Sequence, residues 1–89
     1  MSNQNRATIL INDTADLRNF QSVAFYVEAA VITMPNQEPS SRIDHQVIGR
    51  RKPCDDAALS ERLEVVAVFG CPNAAAIFAS MARETAKHI

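Results

Sequence analysis

The sequence predicts a single α+β domain spanning residues 1–89, an antiparallel sheet of three or four strands with a carboxy-terminal helix packed on one face. Three observations predict it. Leu63–Phe69 is a nearly continuous apolar run ended by Gly70, as in a strand covered on both faces. Ala74, Ile77, Phe78, Met81, Ala82 and Thr85 recur at helical spacing after Pro72. Between two alternating segments, Pro35–Ser41 brackets polar residues with two prolines and reads as a hairpin tip.

Taken in chain order, residues 1–6 read as a frayed lead-in. Thr8-Ile9-Leu10-Ile11 is β-branched and apolar and is closed by Asn12-Asp13, a first strand. Thr14–Gln21 is polar apart from Leu17 and Phe20 and fits a loop or a helical turn. Ser22–Thr33 alternates, with Val23, Phe25, Val27, Ala29 and Val31 on one face and Ser22, Ala24, Tyr26, Glu28 and Ala30 on the other. Leu17, Phe20, Ala24, Val27 and Val31 also fall at helical spacing behind a capping Asp13. The β-branched and aromatic content favours the strand, yet both readings of residues 14–33 stay open. Ile43–Ile48 alternates again, Gly49 closes it, and Arg50-Arg51-Lys52-Pro53 opens a second irregular stretch. Asp55-Asp56 reads as a solvated turn capping a helical turn over Ala57–Arg62. The last helix opens at Pro72 behind Cys71, or with Asn73 as the cap, and Lys87 and His88 suit its negative end. Its stripe is expected to cover Leu63, Val65, Ala67 and Phe69.

Composition bounds the function. With 89 residues, 47% of them hydrophobic, the chain can fold around one modest core and has little room for a deep cleft. A formal net charge of -1 shows neither the excess of positive charge of a dedicated nucleic-acid binder nor the negative excess of a DNA mimic. Proteins and small molecules are the more natural partners. No signal peptide and no membrane-spanning run is written in the sequence. A cytoplasmic chain is therefore expected, with Cys54 and Cys71 as reduced thiols rather than a disulfide.

No motif carries catalysis or a cofactor. The two cysteines and two histidines do not stand at close metal-ligand spacing. Cys54 follows three basic residues, which favour a thiolate, but Asp55 and Asp56 oppose them, and nothing requires His45 to reach it. With Gly49 and Gly70 the only glycines, no phosphate-cradling loop can be built. The one local charge feature is Arg50-Arg51-Lys52, with Arg42 expected across the hairpin. It would serve a phosphate or an acidic protein surface, or simply discourage edge pairing. Tyr26, beside Glu28, is the aromatic residue least claimed by a core.

The tail Val65–Gly70 followed by Ala74–Ala79 resembles short proteins common in bacteriophages and other mobile elements, which end in an apolar strand, a glycine and an alanine-rich helix. The likeness covers that strand and helix alone. It implies a small accessory protein that binds a host or viral protein, in its sharpest form an inhibitor of a bacterial defence complex. The leading expectation is a non-enzymatic protein-interaction module, with Arg42, Arg50, Arg51, Lys52 and Tyr26 as partner-binding candidates. One alternative is a small nucleic-acid-binding module using the basic patch. The other is a homodimeric small-molecule binder or small enzyme whose site, built from residues such as His45 and Cys54, forms between chains.

Overall fold

The computed structural model describes residues 6–38 and 40–87. Most of the expected lead-in, Pro39 of the hairpin tip, and the place of His88 at the helix end lie outside the described residues.

Among the described residues, the framework of the domain is four strands and one long helix. Strand β1 is Ala7–Ile9, β2 Tyr26–Thr33, β3 Ser41–Arg50 and β4 Leu63–Phe69, and helix α1 is Pro72–Lys87. The sheet order is β1-β4-β3-β2 with every neighbour antiparallel. This is the α+β architecture expected, with four strands. β2 and β3 form the long hairpin, in unbroken register from Tyr26 opposite Ile48 to Thr33 opposite Ser41.

Residues 14–33 combine both readings. A 3-10 segment over Thr14–Asn19 starts behind Asp13, whose carboxylate accepts the Ala15 N–H, and a second covers Ser22–Ala24 before the strand begins. Asp13 therefore caps a short 3-10 turn rather than a long helix. The reason lies in the core: Leu17 and Phe20 are fully buried, and the short turns let both point under α1. The expected first strand is shorter, and Leu10 and Ile11 fall beyond it. Gly49 does not end β3, which runs on through Arg50.

The helix face differs from the expected stripe. Buried positions are Ala75, Phe78, Ala79, Ala82 and Ala86, while Ile77 stays 71% exposed and Met81 39%. Four alanines bring the helix axis close to the sheet, where Leu17, Phe20, Phe25 and Val47 supply the bulk. The larger Ile77 and Met81 are turned onto the flank. Pro72 does open the helix, and the Cys71 carbonyl accepts the Ala75 N–H as an N-terminal flanking residue should.

β4 is also read differently by the fold. Val47 pairs with Ala67 and Ile48 with Val65, so Val66 is an extra residue, a β-bulge. It changes which side chains face inward. Val66 joins Ala67 and Phe69 in the core, and Leu63, expected beneath the helix, is 49% exposed. The Ala57–Arg62 segment is a turn, with the Asp56 carboxylate accepting from Ala58 and its carbonyl accepting from Leu59 and Ser60.

Candidate functional site

The basic residues do not form one patch. Arg42 and Arg50 lie at opposite ends of β3 with seven residues between them, which at about 3.3 Å of rise per residue sets them about 26 Å apart. Arg42 faces Ile32 across the hairpin rather than the other arginines, which corrects the expected cluster. It turns instead to Asp44, a buried carboxylate that also pairs with Arg6. The Arg42 Nε stands 3.2 Å from Asp44 Oδ1, near enough for an ion pair but out of hydrogen-bond alignment.

Arg51 is committed to the fold. Its guanidinium donates to Glu64 on β4 and to Asp16 in the first 3-10 segment, with Nη2 3.0 Å from Asp16 Oδ2. It also lies over the Phe20 ring, 4.7 Å from the centroid. The hydrogen bond from Arg51 pulls the Asp16 carboxyl below its ordinary pKa, burial opposes this, and Asn19 adds a second donor. The hydrogen bonds to Asp16 and then to Glu64 push Arg51 further above its already high value. An extended backbone places Arg51 here, since it makes an isolated bridge to Phe20 just past β3. Arg50 donates to the Glu61 carbonyl, and Glu61 itself takes a positive φ of 58°. Lys52 gives its N–H to Asn19 and lines a hollow of about 310 Å³ with Asn19, Arg51, Pro53, Cys54 and Leu59. Tyr26, 42% exposed, sits opposite Ile48 at the start of the edge strand.

Cys54 and His45 are not brought together within the chain. His45 faces Phe69 at the outer end of β4, whereas Cys54 follows the far end of β3, about 17 Å of strand beyond His45 to Arg50 alone. The Cys54 thiol instead donates to the Asp56 carbonyl at 3.5 Å. Both cysteines are free. Among the described residues no group of three or more His, Cys, Asp or Glu stands close enough to hold a metal ion, and no helix is long and apolar enough to cross a membrane.

A different feature emerges beside the helix. Phe69, Ala74, Ile77, Phe78 and Met81 line a shallow groove of about 320 Å³ without a polar side chain among them. Phe69 and Phe78 form its floor as a tilted pair, ring centroids 5.5 Å apart. On the same sheet face, further out along the hairpin, Val31 and Ile43 face each other, 70% and 53% exposed. The hairpin thus projects past the helix, and the molecule extends 45 Å in one direction against 25 and 19 Å in the others. The sequence carried the signal in an apolar stripe on α1 wider than its alanine face needs.

What these features define is a two-layer α+β domain with an apolar groove along one flank of its helix. No known protein family, curated protein or solved structure matches the chain.

Proposed function

We propose that this chain is a cytoplasmic, non-enzymatic protein-interaction module whose groove receives the apolar side chains of a partner protein. One observation carries the reading: five apolar residues line the groove, and Ile77 stands 71% exposed at its edge. Small-molecule sites combine apolar walls with a few placed polar groups that orient the ligand. This groove has apolar walls alone, which suits a row of aliphatic or aromatic side chains from an amphipathic helix or strand. The basic residues support a nucleic-acid reading less well, because Arg51 is held by two carboxylates and Arg42 lies far from Arg50. In its sharpest form the module is a mobile-element accessory protein that inhibits a host defence complex by covering its surface. That form rests on the resemblance of the strand–glycine–helix tail.

The test is an affinity capture of the tagged protein from bacterial lysate, with and without nuclease, run for the wild type and for Ile77→Asp. A stoichiometric protein that survives nuclease and is lost with Ile77→Asp supports the reading. Capture that nuclease abolishes, or that Ile77→Asp leaves unchanged, overturns it.

A further inference from the structure

The two edges of the sheet are unlike. β1 is three residues long and offers almost no template for pairing. β2 is eight residues long, holds its register without a bulge, and contains no proline, lysine or arginine. Glu28 is its one charged residue. Apart from that single carboxylate, none of the usual devices that blunt an edge strand is present in it, and its side chains are mostly exposed.

The residues along β2 are also self-complementary. A two-fold axis normal to the sheet pairs residues of equal parity, since opposite partners in an antiparallel ladder share a face. With the axis at Ala29, Val27 meets Val31 of the partner copy, and Ala29 meets its own counterpart. On the other face Tyr26 meets Ile32 of the partner copy and Glu28 meets Ala30 of the partner copy. Valine lies on valine and an aromatic ring on a β-branched side chain, both favourable cross-strand pairs, while small residues sit on the axis and leave room for the two backbones to pair. The carboxylate faces a methyl group rather than another charge. Moving the axis to Ala30 loses this match, because Val27 then meets Thr33 of the partner copy and Glu28 meets Ile32 of the partner copy.

The exposure pattern agrees with the same axis. Val31 is the most exposed residue of β2 with a large apolar side chain, and it lies on the hairpin arm that the chain's own helix leaves uncovered. Val27, its counterpart, lies at the helix-bearing end. Two-fold pairing sets the bare arm of each copy beside the helix-bearing half of the other.

From this we infer that β2 is a homodimer edge: two copies join β2 to β2, antiparallel about Ala29, into one continuous eight-stranded sheet. This surface is separate from the Ile77 groove, so dimer formation and partner capture can fail independently.

The experiment measures mass in solution by sedimentation over a range of concentrations, with two variants of the full chain. Val31→Lys places a charge in each valine pair, and the outward position of Val31 lets the monomer keep its fold, which circular dichroism verifies. It should weaken dimerisation about tenfold or more. Ala29→Cys, made with Cys54→Ser and Cys71→Ser, should form an intermolecular disulfide on mild oxidation, whereas Thr33→Cys in the same background should not. A wild-type chain that stays monomeric at millimolar concentration overturns the inference. So does a dimer indifferent to Val31→Lys, or one that crosslinks no better at position 29 than at 33. Capture of a partner by a strictly monomeric chain would leave the groove reading intact and remove this one.

Discussion

The Phe25 ring lies across the backbone of Gly49: a β-carbon built on Gly49 would stand 2.6 Å from Phe25 Cε1 and 2.9 Å from Phe20 Cδ2. Both rings are buried and packed against each other, centroids 5.7 Å apart. Neither has room to retreat beneath α1 without displacing Leu17 or the alanine face of the helix. Gly49→Ala is expected to lower stability by about 1–3 kcal/mol through overpacking. Chemical denaturation checks it, and an unchanged midpoint would mean the rings do not rest on this strand.

The Asp16–Arg51–Glu64 network makes stability sensitive to acid. Because Asp16 is held below its ordinary value chiefly by the hydrogen bond from Arg51, folding favours its ionised form. The stability this supplies is complete above the unfolded carboxylate's pKa near 4 and is lost as pH falls through the lower folded value. Denaturation midpoints between pH 5 and pH 2, taken as about the relevant window, should fall less steeply for Asp16→Asn than for the wild type. Parallel pH profiles would show that Asp16 does not couple to folding.

Arg51→Ala should be costlier than its place among surface arginines suggests. It strands two part-buried carboxylates and removes a cation from the face of Phe20. A loss of about 2–4 kcal/mol is expected, read by thermal unfolding. A loss no larger than that of Arg18→Ala would place Arg51 in solvent.

Leu17 and Ile77 make a controlled pair. Leu17 is fully buried although it lies in a polar stretch, and Ile77 is exposed although it lies on an apolar stripe. Leu17→Ala should cost about 2–5 kcal/mol through the cavity it leaves, and Ile77→Ala less than about 0.5 kcal/mol. Reversal of that order in urea unfolding would reject the helix orientation.

Asp44 is the one buried charged residue among those described, held between Arg6 and Arg42. Asp44→Ala should destabilise by about 2–4 kcal/mol, because it leaves two guanidinium groups facing each other without their carboxylate. Adding Arg42→Met should restore part of that loss, measured as a double-mutant cycle. Additive losses would show that the two side chains do not interact.

Much of the fold was legible because the relevant forces are local. Proline and polar residues over 35–41 can only be a turn, the β-branched run 63–69 prefers a pleated surface, and Pro72 followed by alanines starts a helix. The candidate site was less legible. Arg50, Arg51 and Lys52 look alike as consecutive basic residues, yet one donates to a turn carbonyl, one is clasped by two carboxylates and one lines a hollow. Which charge is used up depends on Asp16, thirty-five residues away from Arg51, and no local pattern encodes that distance.

The sequence by itself determined the class of the fold, the hairpin, the final strand and the final helix, since periodicity and backbone preference act over a few neighbouring residues. Tertiary structure alone decided the register at Val66, the burial of Leu17 and Phe20, and the rotation of α1. A bulge reverses which side chains face inward, and a helix turns toward whichever face packs closest. The alanine face packs closest here, so Ile77 and Met81, apolar in sequence, were left to form a surface.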